Sequence, residues 1–494
     1  MRPIEMTGNA TAGKQPPSPD RPLSWTVADC LAATGGQLLG QDTGRTFSRV
    51  VIDSRTITAE DLFVAVIGET HDGHSFVDEV IHSGVRGVIV QQRRLEGFPL
   101  QQWLESGTIC IAVKDTTQAL GALGRYHRRR NHASVVAITG SNGKTTTRQM
   151  TAAVVSRGYR TLSSRKNYNN HIGLPLTLFD ICPQHRWAVV ELGMNAPGEI
   201  ATLSGICLPD IGVITNIGPA HLEGVGSLEG VMHAKGELLG NIHPDGTAVL
   251  NADDERVLRL AGGCRCRVLL YGLSEKATIR AVDIRPTDQG HTFRLILPSG
   301  DVRVGLDIPG KFMISNALAA AGVGQSIGLE ADQIRKGLEN FVPAAGRMNV
   351  LHTRGDFHII DDTYNANPGS MAGALDTLSA LRKDRRSFVV MGDMKELGGK
   401  SAELHHQVGD LAARSGITAL FITGEFAEET AAGAAAAGLG QDRIVTGSKE
   451  QIVQSLIERL QPQDWILVKG SRAMAMEDIV RKLTVWADTK RQER

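Results

Sequence analysis

The sequence predicts an α/β protein of three domains: a small α/β module, a central parallel-sheet domain around a phosphate loop, and a C-terminal Rossmann-like, doubly wound domain. Three observations carry this expectation. At 494 residues the chain exceeds one compact core, given about 150 residues per domain. Short apolar runs alternate with helical periodicity along most of its length, the pattern that parallel sheets with helical crossovers require. One glycine-rich string, ITGSNGKTTT at Ile138–Thr147, follows an apolar run and opens a helical segment, which is the strand–loop–helix order of a phosphate site.

Bulk composition narrows the partners. Lys plus Arg and Asp plus Glu balance at 53 each, so no global basic field draws nucleic acid or an anionic membrane. Hydrophobic residues at 41% and 55 glycines fit a globular α/β chain, while aromatic residues at 4% leave little for base stacking. No run approaches about 18 apolar residues. The first 24 residues are rich in Pro, Gly, Ser and Thr without the apolar segment of a signal peptide. A disordered tail over 1–24 and a cytoplasmic protein without membrane insertion are expected. The cysteines at 30, 110, 182, 207, 264 and 266 are scattered apart from Cys264-Arg265-Cys266, so reduced structural thiols are expected.

In chain order, residues 25–115 alternate the runs RVVIDS, LFVAVIG, VRGVIV and TICIAV with a helical pattern near Phe76–Ser83, an N-terminal α/β domain. The central domain is read as 116–343. It opens on an apolar-spaced helix, Thr116 to His132, whose basic end (His127 to His132) reads as a solvated helix terminus. WAVVEL and IGVITNI are buried-strand candidates, a strand-rich insertion occupies Thr247–Leu306, and a helix runs from Met313 to Ile327. From 344 to 494 four apolar runs, FHIID, SFVVMG, ALFITG and DWILVKG, are each followed by helical periodicity, a second doubly wound sheet.

The phosphate loop comprises Gly140, Ser141, Asn142, Gly143, Lys144, Thr145 and Thr146. Its glycines leave room for backbone N–H groups to curl around phosphate oxygens, Lys144 adds a point charge, and the Thr145 hydroxyl can ligand Mg²⁺. The string is a short G-x-x-G-K-T form, since the position five before Gly143 is Ile138. ATP chemistry needs a metal-binding carboxylate at a neighbouring strand end, and Glu191 ends WAVVE. TNIGPAHLE brings Asn216 and His221 to the same edge, where ligands gather in open α/β sheets. Lys235 in HAKGELL is by spacing a solvated lysine. IIDDTYNANP sets Asp361 and Asp362 before Tyr364, Asn365, Asn367 and Pro368, and LVKGSRAM ends a strand with Lys469, Ser471 and Arg472, a cluster suited to a carboxylate or phosphate.

The order of ITGSNGKTTT, NYNNHIGLPLTL, ELGMNAPGEI, NIGPAHLE, HAKGEL, PGKFMISNALAA, GRM, DDTYNANP, MGDMKELG and LVKGSRAM resembles the Mur ligase family, from about Val51 to Met476. DDTYNANP, ELGMNAPGEI and MGDMKELG resemble the branch that adds D-alanyl-D-alanine to UDP-N-acetylmuramoyl-tripeptide. The resemblance implies a uridine-nucleotide N-terminal domain, a P-loop ATPase-like centre, ATP and Mg²⁺ as cofactors, and a monomer serving cell-wall synthesis. It implies that Lys144 contacts the nucleotide phosphates, Thr145 and Glu191 ligate one Mg²⁺, and His221 a second. Lys235 matches a carbamylated lysine that acts as a metal ligand, and Asn316 an adenine-contacting asparagine. Arg347 and Asp362 match residues that meet the nucleotide from the C-terminal domain. Asp53-Ser54-Arg55, helped by Gly68 to His74, resembles the uridine site, Asn170 a substrate-side asparagine, and Lys469 with Ser471 and Arg472 the dipeptide site. KNYNN departs from the pattern by placing Tyr168 where an aliphatic residue is commoner. No Asp-Asn-Pro-Arg string of the third-residue branch occurs, nor the Asn-Lys-x-Asp of a guanine switch.

Overall fold

The structure, a computed structural model, describes residues 22–164 and 167–489. The tail read as disordered lies almost wholly outside the described residues, as do residues 165–166. The chain forms two compact units. The first runs to His132 and takes in Phe179–His185, and the second holds Ala133–Leu178 and everything from Arg186.

In the first unit the four expected runs become Arg49–Val51, Asp61–Val64, Gly87–Gln91 and Ile109–Val113, in a five-stranded sheet completed by Gln37–Leu39. The four pair in parallel and only the last-named joins antiparallel. Val77, Val80 and Ile81 of the helix Val77–His82 pack on Phe63, Val88, Val90 and Trp103 to form its core. The helix Thr116–Arg130, read as the head of the central domain, belongs to this unit, with the Tyr126 hydroxyl donating to Asp29 at 2.9 Å. Its basic end is not uniformly solvated. His127 is buried between Trp25 and Phe179 and donates from Nε2 to Ile181 O at 2.9 Å, and burial holds its pKa down at about 4.

The second unit carries two sheets. The central one has nine strands in the order Val302–Leu306, His291–Ile296, Ile279–Pro286, Arg267–Gly272, Thr247–Asn251, Ile211–Ile214, Ser134–Thr139, Trp187–Glu191, Thr161–Ser163. The strand-rich insertion therefore extends this sheet, finishing it with antiparallel strands. Ser134–Thr139 lies where chain order reverses. The chain leaves it for the two strands on one side, then returns to build the other, so the crevice for a ligand opens at its carboxyl end. The helix expected at Met313–Ile327 runs Phe312–Ser326 and is buried along most of its length.

The C-terminal sheet has six strands in the order Asn349–His352, His358–Asp362, Trp465–Lys469, Ser387–Gly392, Ala419–Thr423, Ile444–Thr446. Its four central strands are the four expected apolar runs, all parallel, and the short Ile444–Thr446 and the antiparallel Asn349–His352 flank them. Among the described residues no helix is long and apolar enough to cross a membrane. All six cysteines are free.

Asp61 offers a test of the first sheet. Burial disfavours its charge, but two hydrogen bonds from Arg49, at 2.9 and 2.6 Å, and two from Thr58, at 2.8 and 2.9 Å, outweigh this and hold its pKa below the usual value. A carboxylate with a lowered folded pKa contributes stability that is present above about pH 4 and lost as pH falls through the folded value. Asp61→Asn is expected to cost about 1–3 kcal/mol near neutral pH and to flatten the acid limb of stability against pH, as read by urea unfolding.

Candidate active site

The phosphate loop is shaped by close approach of its backbone to neighbouring elements. Gly143 precedes the helix Lys144–Val155 with φ 79, and a Cβ on it would lie 2.4 Å from Asn316 Oδ1. A Cβ on Gly140, φ 148, would lie 1.9 Å from Thr215 Oγ1. Thr215 donates its hydroxyl to Asn142 O at 2.6 Å, Asn216 Oδ1 accepts Asn142 N–H at 2.8 Å, and Ser141 Oγ lies 3.0 Å from Gly218 O. The end of the strand Ile211–Ile214 thus braces the loop from the side. Lys144 folds back over it, donating to Gly140 O at 2.8 Å. Desolvation, with Arg347 nearby, lowers the pKa of Lys144 against the pull of Glu191 and Glu396. Thr146 is buried behind the loop.

On the opposite side stands Glu191, at the end of the strand Trp187–Glu191 and itself buried. Its Oε2 accepts the Thr145 hydroxyl at 2.8 Å and its Oε1 accepts Asn169 Nδ2 at 2.9 Å. Arg148 Nε lies 3.7 Å from Oε2, while its Nη1 donates to Ser163 Oγ at 2.7 Å. A carboxylate and a hydroxyl oxygen therefore converge on one point, a hard-oxygen pair of the kind Mg²⁺ takes. Asn169, Arg148 and Glu396 are site residues that the sequence reading missed. Asn169 neighbours the chosen Asn170, while Arg148 follows the phosphate loop and could have been found as a cation one helical turn past Lys144.

His221 holds a left-handed conformation, φ 57, and its Nδ1 stands 2.6 Å from Glu396 Oε2. Lys235, expected from spacing to be solvated, is 1% exposed in the helix Leu228–Gly236. Burial and the charge of Lys144 push its pKa well down. A buried lysine beside another cation does not fit a metal as an ammonium. As a neutral amine it fits the carbamate form, which reverses its charge. Asn316 is buried beneath the loop and accepts the Thr147 hydroxyl at 3.2 Å.

The C-terminal sheet reaches the same place. Arg347 stacks 4.0 Å over the Tyr364 ring and donates from Nη2 to Thr145 Oγ1 at 2.9 Å. Asn367 caps the helix Pro368–Arg382 and donates from Nδ2 to Asn142 Oδ1 at 2.7 Å. Sheet register sets Asp362 beside the buried Lys469, and the two form an ion pair at 2.5 Å, with Lys469 also donating to Asn365 O at 2.9 Å. Ser471 Oγ accepts Lys395 N–H at 2.8 Å. Arg472 is exposed and pairs with Glu477 at 2.6 Å. Burial raises the pKa of Asp361, which accepts the Thr363 hydroxyl at 2.6 Å.

Two further predicted groups make local contacts. Asn170 Oδ1 takes the N–H groups of Ile172 and Gly173, at 3.2 and 2.8 Å, as the helix Gly173–Phe179 begins. In the first unit Asp53 caps the short turn Ser54–Thr56 and pairs with the exposed Arg55 at 2.7 Å, which lowers the Asp53 pKa to about 2. Nearby in sequence, His74 is buried, bridging Asp72 Oδ1 at 2.7 Å and the Gln91 N–H at 3.0 Å.

Comparison with known families matches this layout. The Mur ligase family catalytic domain matches residues 46–128, the Mur ligase middle domain 138–324, and the Mur ligase glutamate ligase domain 346–472. The chain belongs to the Mur ligase family. Within the Mur ligases it is 37% identical over 465 residues to the UDP-N-acetylmuramoyl-tripeptide–D-alanyl-D-alanine ligase of Escherichia coli (strain K12), covering 93% of this chain and 98% of that one. Its fold is similar to a crystal structure of MurF from Acinetobacter baumannii, with TM-score 0.86, 32% identity, and coverage of 94% and 99%. It is similar also to MurF ligase from Thermotoga maritima in complex with ADP, with TM-score 0.79, 26% identity, and coverage of 90% and 98%.

The brace around this Mur ligase loop is testable without substrate. Gly143→Ala sets a Cβ against Asn316 in left-handed backbone, whereas Gly399→Ala enters open space. The first is expected to cost about 1–3 kcal/mol and the second to stay within about 0.5 kcal/mol, measured by denaturant unfolding.

Proposed function

We propose that this chain is an ATP-dependent ligase that joins D-alanyl-D-alanine to the terminal carboxylate of UDP-N-acetylmuramoyl-tripeptide, giving the pentapeptide precursor of peptidoglycan. One observation carries the reading. Arg347 of the C-terminal sheet reaches Thr145 of the phosphate loop, beside Glu191, in a chain whose full-length relatives bear that activity in name. A nucleotide edge and a cationic edge facing each other suit a transfer between two bound substrates.

A carboxylate is a poor electrophile, so the tripeptide carboxylate first attacks the γ-phosphorus of ATP and ADP departs. The resulting acyl phosphate is then attacked at its carbonyl carbon by the dipeptide amine. The amine loses a proton, the tetrahedral adduct collapses to the amide, and phosphate leaves. The loop from Gly140 to Thr146 binds the phosphates. Lys144 must exchange its backbone acceptors for phosphoryl oxygens, whose developing charge it stabilises. Thr145 and Glu191 would hold one Mg²⁺, and His221 with a carbamylated Lys235 a second, which when bound would neutralise further phosphoryl charge. Burial and the charge of Lys144 favour the neutral amine of Lys235, the form that adds CO₂.

The same reading gives Asn316 to adenine, Arg347 and Asp362 to the nucleotide, Ser54 and Arg55 to the uridine nucleotide, and Asn170 to the peptide. Lys469, Ser471 and Arg472 fall to the dipeptide, and Tyr364, Asn365 and Asn367 to substrate. It takes the chain as a tail over 1–24 and domains read from sequence as 25–115, 116–343 and 344–494, with the helix Thr116–Arg130 packed in the first unit, acting as a cytoplasmic monomer. Contacts from Arg347 and Asn367 onto the phosphate loop would exclude water from the acyl phosphate.

The test is phosphate release from ATP and Mg²⁺ with the UDP-muramoyl tripeptide, with and without D-alanyl-D-alanine, the products being weighed. Release that needs both substrates, with a product of pentapeptide mass, is expected. Turnover with a free amino acid instead would move the chain to another ligase branch. Lys144→Ala should lower turnover by on the order of 10²-fold or more, and near-wild-type turnover would overturn the phosphate assignment. Lys235→Ala should be inactive and partly restored by short carboxylic acids that occupy the vacated position. Unchanged activity would remove carbamylation from the mechanism.

A further inference from the structure

The contact between His221 and Glu396 joins the edges of two different sheets. Glu396 Oε2 stands 2.6 Å from His221 Nδ1, off the line of a hydrogen bond. Glu223 N–H donates to Glu396 O at 3.3 Å, so main chain meets main chain at the same place. Both residues hold left-handed backbone, φ 57 for His221 and φ 67 for Glu396. A non-glycine residue keeps that conformation where its surroundings demand it, and such residues gather at functional sites.

The loop that carries Glu396 is rigidly built. Asp393, 2% exposed, takes the N–H groups of Glu425 and Phe426 at 3.0 and 3.1 Å and pairs with Lys395 at 2.9 Å. His405 Nε2 takes the Met394 N–H at 2.9 Å, and Ser471 Oγ takes the Lys395 N–H at 2.8 Å. Met394 and Leu397 on either side are buried. These fixed points lie in the C-terminal part of the chain, and from them the Glu396 side chain turns to His221.

We propose that Glu396 is the positioning residue for His221, supplied by the C-terminal part of the chain to complete a cation site on the central sheet. A carboxylate beside one imidazole nitrogen keeps the proton there and leaves the lone pair of the other for a metal. The inference rests on the ligase reading, in which His221 holds the second Mg²⁺. It adds that this ion and the seating of the C-terminal sheet support one another, each raising the affinity of the other by the same factor. The half that accepts the dipeptide thereby finishes the site where its electrophile forms.

The experiment titrates Mn²⁺, in place of Mg²⁺, into the ADP-bound full chain by electron paramagnetic resonance, for wild type, Glu396→Ala, Glu396→Gln and His221→Ala. Two Mn²⁺ are expected in wild type. Glu396→Ala should weaken the second about 10–100-fold and leave the first Mn²⁺, ADP affinity and thermal unfolding unchanged, a pattern that general destabilisation would not give. Glu396→Gln preserves size and an acceptor oxygen, so it should fold even where the alanine variant does not, and should weaken the second Mn²⁺ less. An unchanged second affinity in a folded Glu396 variant would overturn the proposal. His221→Ala should bind one Mn²⁺. A wild type that binds only one overturns the assignment of His221, and the proposal with it.

Discussion

The second unit depends on one arrangement: the strand Ser134–Thr139 pairs in parallel on both sides, with Trp187–Glu191 and with Ile211–Ile214. Parallel register brings three carboxyl ends to one edge, so Glu191 lands on one flank of the phosphate loop and Thr215–Gly218 on the other. The loop has little freedom left. Its glycines are required because a side-chain hydroxyl and a side-chain amide already occupy the space that a Cβ would take. The apolar runs VVAIT, AVVE and IGVI fix this geometry by being buried on both faces.

Several charged groups in the site are answered by neighbours within the chain. Glu191 answers Arg148, Thr145 and Asn169, Asp362 answers Lys469, and Glu396 answers His221. Among the described residues no ion pair joins Lys235 to a carboxylate, and burial together with the charge of Lys144 lowers its pKa. That asymmetry is what makes the carbamate form chemically reasonable, since a negative group there would be attracted to Lys144 where an ammonium is repelled. Arg347 and Asn367 add a second layer, carrying the C-terminal sheet onto the loop through a guanidinium and an amide.

Much of this was legible in the sequence because apolar runs of four to six residues ending in Gly, Asp, Lys or Glu have few other solutions. FHIID, SFVVMG, ALFITG and DWILVKG all became strands, and the strand-loop-helix order located the phosphate loop. The strands Ile444–Thr446 and Asn349–His352 escaped because their burial depends on neighbours that a local pattern does not contain. Lys235 looked solvated because a lysine in a short helix usually is, and only tertiary packing decides that its amine is enclosed. Asn170 was chosen over Asn169 in KNYNN, where a one-residue step decides which amide meets Glu191. Glu396 was invisible for the same reason, since its partner lies 175 residues earlier (396 − 221). The helix Thr116–Arg130 shows a limit of linear parsing, because its apolar face finds Val27–Thr34 rather than the strand that follows it.

The seven residues Phe179–His185 belong to the first unit although the chain on both sides belongs to the second. Phe179 meets the Trp25 ring edge-on at 5.8 Å, and Ile181 O receives the His127 ring N–H. The polypeptide therefore passes between the units three times, at 132/133, 178/179 and 185/186, and the modularity seen in space is not modularity along the gene. A cut at the first passage would leave the downstream fragment carrying a core strip of its former neighbour, with Phe179, Ile181 and Cys182 stripped of their burial. Exchange of whole units between relatives, by recombination or by design, needs breakpoints at all three passages to keep each core intact.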